Sequence, residues 1–355
     1  MSKDQTKSIF NSLNEAGHEQ LIFCNDKELG LKAIIGIHNT ALGPAMGGTR
    51  MWNYSSDEDA LNDVINLSMA MSYKSSLAGL NAGGGKAVII GDPKIKNEKF
   101  IRKYAEFLND LKGKYWTAQD VNMTSEDIVN IKKTSEYVVG LPKEHGGLGD
   151  SSVPTAYGVY LGMKSALMNV TGNDSLTDKK ILIQGVGKVG SKLIDYLLKE
   201  GSKVFAFDIN KNNLERFNRS NITILNEEDL YRNRYDIYSP CALGGAVNKS
   251  SINHIKCDII AGAANNQITD EDIVLPKLKE KNILFIPDFL INAGGIISVY
   301  HEQINELDSK KVMDMNSYIF DKVTDVLKFS SEKNISTFQA AIQLAKDRIN
   351  KISEK

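Results

Sequence analysis

Lys86 stands directly after three glycines and directly before an apolar run, in the segment LNAGGGKAVIIGDP at 80–93. A second lysine, Lys74, lies twelve residues earlier. Successive glycines admit unusual backbone angles and let another molecule come close to the main chain. A strand after such a turn would hold Lys86 on a rigid mount, where burial and a neighbouring cation lower an amine's pKa toward neutrality. Such a lysine is a usable acid–base group. A phosphate-binding loop needs a glycine five residues before the last glycine and a Ser or Thr after the lysine; those places hold Leu80 and Ala87, which excludes it. Local spacing alone leaves open a solvated lysine on an ordinary turn.

A second glycine pattern has more context. Gly185, Gly187 and Gly190, with Val186, Lys188 and Val189 between them (GVGKVG), follow the strand-like run KILIQ and open a helical pattern. The first glycine permits the tight turn, the second lets the backbone reach a pyrophosphate, and the third lets helix pack on strand. The helix N-terminus then favours the phosphate charge. Asp208 ends the next strand-like run, eighteen residues beyond Gly190. Its carboxylate suits the two hydroxyls of an adenosine ribose and would repel a 2'-phosphate, which favours NAD; Lys188 and Lys211 leave some room for NADP. A dinucleotide site and a lysine pair in different parts of the chain point to hydride transfer.

The elements that must position these groups can be read from periodicity. In the first 150 residues, 31–38 and 48–52 read as strands, 56–77 as a long helix capped by Ser56 and Asp59, 97–111 as a helix, 115–118 as a strand, and 124–133 as a helix opened by Thr124 with Asp127. Lys74 then falls near the end of the long helix. The stretch 141–154 has the glycine, proline and serine content of a hinge. Beyond it helix and strand alternate: helices at 155–169 and 188–199, strands at 180–184 and 203–207, and apolar runs at 223–225, 236–239, 258–261 and 283–286, then helices at 309–329 and 336–353. The expected fold is α/β in two domains: a mixed substrate domain at 1–145 and a Rossmann-like, doubly wound NAD domain at 146–332. The helix in 333–355 would pack back on the first domain.

The 355 residues suffice for two cores, with 42% hydrophobic and 25% charged content. A net charge of -1 gives no reason to expect nucleic acid or an anionic membrane as partner. No run of about 18 apolar residues occurs and the start lacks the apolar core of a secretory signal, so the expected location is cytoplasmic. Three scattered cysteines and five histidines show no metal-ligand spacing, and no metal is expected.

LNAGGGKAVIIGDP resembles the active-site signature of the glutamate/leucine/phenylalanine/valine dehydrogenases. GPAMGGTRMW, MSYK, TAQDV, VPTAYGV, QGVGKVG, CALGG, AGAANNQ and DFLINAGG follow in that family's order, across nearly the whole chain. The leucine-specific members look most similar. The resemblance implies an amino-acid dehydrogenase acting on the CH–NH2 group, a homo-oligomer with NAD, small-molecule substrates, and a cleft that closes between its domains. It implies that Lys86 is the catalytic lysine, that Asp120 handles protons at the amino group, and that Lys74 holds the substrate α-carboxylate. Gly47, Gly48, Met71 and Ala118 would border the substrate, with Asn292 approaching it from the NAD domain. Thr155, Ala242 and Asn265 would contact the cofactor. Lys74 would be the cation that makes Lys86 acidic.

Glutamate-specific members carry a lysine just before the paired glycines, where this chain has Met46. A glutamate carboxylate beside a thioether would be buried unpaired, so branched aliphatic amino acids are expected, leucine first, with Val323 and Val326 completing the pocket. Met is adaptable, and phenylalanine, valine or tryptophan dehydrogenase activity is the alternative. A nucleotide-sensing protein without turnover would have no need of Lys74, Lys86 and Asp120 together. The chain departs from the leucine-specific pattern in SMAMSYK, at Ser75 and Ser76, and at Asn122 after Asp120.

Overall fold

The computed structural model describes residues 8–217 and 221–354; residues 1–7, part of the start read above for a signal, lie outside them. The chain divides into two compact units. Unit 1 comprises the chain up to Gly149 with Val299–Asp308 and the residues from Ala345 on, and unit 2 comprises Asp150–Ser298 with Ser309–Leu344.

Unit 1 is built on a mixed five-stranded sheet of β1 (Gln20–Asp26), β2 (Leu31–Asn39), β3 (Ala45–Trp52), β4 (Gly83–Ile90) and β5 (Tyr115–Gln119), in the order β1-β2-β4-β3-β5. β1 and β4 pair antiparallel with β2, while β3 pairs parallel with β4 and β5. Side chains alternate across the sheet. Ile35, Ile37, Ala87 and Ile89 join a core with Phe100 and Tyr104 of the helix Glu98–Asp110 and Ile128 of Ser125–Lys132. Ile34 and Val88 face the other way, onto Ala60, Val64 and Ile65 of the helix Asp57–Leu77. Ser56 caps that long helix by accepting from Asp59 N–H, and Thr124 with Asp127 forms the expected reciprocal cap.

The three glycines do not form a turn. They lie inside β4, and none has a positive φ. Their bareness is required by packing: a Cβ on Gly83 would sit 2.1 Å from Asn39 O, on Gly84 2.0 Å from Ser72 N, and on Gly85 2.7 Å from the Tyr115 ring. What comes close to the main chain is the protein itself. Ser75 Oγ donates to Gly83 O across this close contact, and Ser76 Oγ donates to Ala345 O on the last helix, Thr337–Ser353. These are the polar departures noted in the sequence. Asn122 is likewise structural, at φ 59 with its amide donating to Met51 O.

Unit 2 carries an all-parallel six-stranded sheet of β6 (Lys180–Gln184), β7 (Lys203–Phe207), β8 (Ile222–Ile224), β9 (Tyr235–Pro240), β10 (Cys257–Ile260) and β11 (Leu284–Phe285), ordered β11-β10-β9-β6-β7-β8. The order reverses between β6 and β9, which places a crevice at the carboxyl ends of those strands. The first helix runs Ser152–Thr171, starting earlier than expected because Pro154 sits in its first turn, where no N–H is needed. The expected helix 309–329 is two, Ser309–Ser317 and Ile319–Lys333. Near the break the Asn316 side chain donates to Val312 O and competes with the helical ladder. Val323 and Val326 are each 1% exposed on Ile319–Lys333. Glu271–Glu280 escaped periodicity because Pro276 interrupts it. Among the described residues no helix is long and apolar enough to cross a membrane, and no group of three His, Cys, Asp or Glu is placed to hold a metal.

Candidate active site

Lys86 faces the long helix, since its cross-strand partner Gly36 packs on Val64 and Ser68. It is 6% exposed, and its Nζ lies 2.7 Å from Asp120 Oδ2. Asp120 follows β5 directly. The pair can meet because Gly48 between them is bare: a Cβ there would lie 2.9 Å from Asp120 Cβ and 2.8 Å from Gln119 O. Gly47 is tighter still, with Gly85 O 1.8 Å from its Cβ position and Met71 Cγ 3.2 Å away. Met46 pairs with Gly84 and is 1% exposed; Ala118 pairs with Gly48. Lys74 occupies the last turn of the long helix, beyond Met71 and Ser72.

Burial pushes the Lys86 amine down, Asp120 pulls it up, and the net displacement is downward. Arg50 is a neighbouring cation that acts in that direction. Burial pushes the Asp120 carboxyl up, but Lys86 and Arg50 outweigh it and hold the group below the usual carboxylate range. Arg50 was missed in the sequence. Its Nε donates to Asp120 Oδ2 at 3.1 Å and its guanidinium NH1 to Asp63 Oδ2 at 3.0 Å. The available signal was period-two spacing, which puts Gly48 and Arg50 on one face of β3. Glu302 was also missed; its carboxylate accepts from the N–H groups of Gly140, Leu141 and Leu148 in the glycine-rich stretch. The arrangement brings a neutralisable amine and an ionised carboxylate together, suited to moving protons at a small substrate.

Within unit 2, Gly185 has φ 104 and Ala242 N lies 2.6 Å from where its Cβ would be, so this position needs glycine. Gly190 would place a Cβ 2.0 Å from Gly185 O, which accounts for the third glycine. Around Gly187 nothing lies within 4 Å, and no side chain caps the helix Lys188–Glu200 that starts there, with Val189 in its first turn. A cradle of open N–H groups fits a pyrophosphate. Asp208 accepts from Val186 N–H at 2.6 Å and Asn210 N–H at 2.8 Å, leaving further lone pairs on both oxygens. Asp208, Gly185 and Ala242 line a cavity of about 240 Å³ with Ile209 and Leu243. These residues fit a dinucleotide. Asn292 donates to Ala263 O and to Asn265 Oδ1, tying the AGAANNQ loop in place. Thr155 donates from Oγ1 to Ser151 O in the first turn of its helix.

Two family models match the chain. One, described as the Glu/Leu/Phe/Val dehydrogenase dimerisation domain, covers residues 18–137; the other, Glutamate/Leucine/Phenylalanine/Valine dehydrogenase, covers 146–214 and 206–355. Leucine dehydrogenase of Thermoactinomyces intermedius is 43% identical over 96% of this chain and 93% of its own. Phenylalanine dehydrogenase of Caldalkalibacillus thermarum is 41% identical over the same shares. The crystal structure of L-tryptophan dehydrogenase from Nostoc punctiforme superposes with a TM-score of 0.87 at 38% identity, covering 98% of this chain and 100% of that one.

Proposed function

This chain belongs to the Glu/Leu/Phe/Val dehydrogenase family, and we propose that, as an amino-acid dehydrogenase, it catalyses reversible NAD-dependent oxidative deamination of branched-chain aliphatic L-amino acids, leucine first. The buried Lys86–Asp120 pair at 2.7 Å carries this reading. Asp120, held ionised, takes a proton from the substrate ammonium, since only the neutral amine can support loss of hydride from Cα. A nicotinamide held by the glycine turn of unit 2 would supply the acceptor for that hydride. Lys86 in its amine form then takes a proton from the water that attacks the iminium carbon. The resulting carbinolamine expels ammonia and leaves the 2-oxo acid. Lys74 holds the α-carboxylate, and Met46, Met71 and Ala118 border the side chain. Thr155 and Asn265 serve the cofactor, and Asn292 holds its loop.

Met46 supports an apolar substrate, because a side-chain carboxylate beside it would be buried without a cation. An aromatic substrate is the second reading, favoured by the thioether's adaptability and by relatives of nearly equal identity that act on phenylalanine. Asp208 supports NAD over NADP. Assembly into a cytoplasmic homo-oligomer belongs to the same proposal; Phe23 on the edge strand β1, 58% exposed, offers an apolar contact.

The test is NADH formation, followed by absorbance, with leucine, valine, isoleucine, phenylalanine, tryptophan and glutamate, using NAD and NADP and repeated with Lys86→Ala. Leucine should give the highest kcat/KM, with glutamate inactive. No turnover of any amino acid would sink the proposal, and full activity in the Lys86 variant would sink the mechanism. Asp208→Ala should raise the NADP-to-NAD ratio of kcat/KM.

A further inference from the structure

We propose that Arg50, anchored by Asp63, is a positioning residue that sets where the proton resides in the Lys86–Asp120 pair and hence the pH range of turnover. The inference rests on the function proposed above. Its ground is a continuous line of four charged side chains and a tyrosine within unit 1. Lys86 Nζ and Arg50 Nε converge on one oxygen, Asp120 Oδ2, at 2.7 and 3.1 Å. Arg50 continues to Asp63 Oδ2 at 3.0 Å, and the Tyr54 hydroxyl donates to that same oxygen at 2.5 Å. The residues come from β3, the segment after it, the long helix, β4 and the end of β5.

Charge counting shows what the line does. With Lys86 protonated, two cations balance two carboxylates. When Lys86 gives up its proton the set carries one negative charge; without Arg50 it would carry two. Arg50 therefore makes the neutral amine accessible, and Asp63 limits how far. Arginine suits the task because it stays charged throughout and its fork addresses two carboxylates at once. Lys86 and Asp120 titrate as a coupled pair, so removing a cation moves both apparent steps upward. Tyr54 faces Arg50, Tyr115 faces Asp120, and Lys74 lies on the helix that carries Asp63. Their charges are the same in every variant below, so they cancel in the differences.

An ordinary structural salt bridge would lower stability or kcat without moving a pH profile. The experiment is therefore kcat/KM against pH, for the amino acid the wild type oxidises best, in Arg50→Gln, Arg50→Lys and Asp63→Asn. The acid limb should move up by about one pH unit in Arg50→Gln, move down in Asp63→Asn, and stay near the wild type in Arg50→Lys. Limbs that stay in place, or that move the same way in Arg50→Gln and Asp63→Asn, overturn the assignment. Should Arg50→Gln fail to fold, the downward shift in Asp63→Asn and the retained profile of Arg50→Lys decide it. Acetylation of Lys86 across the same pH range, read by mass spectrometry, reports the same shifts without turnover. A wild type that oxidises no amino acid would thus sink the proposed function while acetylation still decides this assignment.

Discussion

Asp120→Asn keeps the shape of the carboxylate and removes its charge, leaving Lys86 buried at 6% exposure beside Arg50. Breaking a buried pair by removing one partner costs about 3–5 kcal/mol while the remaining charge persists. Lys86 can escape that cost by losing its proton, and the price of doing so is set by the solution pH. From an unfolded-state pKa of about 10.4, holding a lysine neutral costs about 1.36 kcal/mol per pH unit: about 3.3 kcal/mol near pH 8 and about 1.2 kcal/mol near pH 9.5. The sign follows from proton counting. Lys86 has its folded-state pKa below its unfolded value, so between the two the unfolded chain binds more protons and stability rises with pH. The variant should therefore melt at most about 7–13 °C below the wild type near pH 8, and at most about 2–5 °C below near pH 9.5, the difference shrinking with the extent to which Lys86 is already displaced in the wild type. The measurement is thermal unfolding by circular dichroism at fixed protein concentration over that range, with turnover expected to fall about 10²–10⁴-fold. A melting difference independent of pH would refute the reasoning, because Lys86 would then not be a buried amine whose charge Asp120 supports.

Gly47→Ala places a methyl 1.8 Å from the Gly85 carbonyl oxygen, a backbone atom that cannot rotate away; thermal unfolding should show a loss of about 3 kcal/mol or more. Gly187→Ala meets nothing within 4 Å, so melting should be unchanged, while NADH affinity, measured by fluorescence titration, falls at least about tenfold through crowding of the pyrophosphate. Gly185→Ala should instead lose stability, being strained at φ 104 and pressed on Ala242. Burial, with His38 alongside, pushes His18 down to about 4. Between its ordinary 6.5 and that value the unfolded chain binds the extra proton, so stability is full above pH 6.5 and declines as pH falls toward 4. His18→Gln should flatten melting temperature against pH across that window; an unchanged slope would remove His18 as the cause.

Sequence alone marked most of the longer helices and strands, because periodicity, caps and turn residues act locally. Ser56 and Thr124 each cap the helix they announced, and Asn97 caps the helix read from 97 on. It also marked the glycine turn after β6, since all its parts lie within one strand–turn–helix unit and the next strand. What it misjudged required partners distant in the chain. The glycines before Lys86 read as a turn, yet they lie in a strand and are bare because Asn39, Ser72 and Tyr115 press against them. Lys86 was legible as a chemical group, but Arg50 on the far side of its partner Asp120 was not. Arg50 and Asp63 are thirteen residues apart on different elements, and only folding of the long helix over the sheet makes them neighbours. Local chemistry depends on residue type and spacing, whereas the proton's position in the pair depends on charges brought within about 3 Å by tertiary packing.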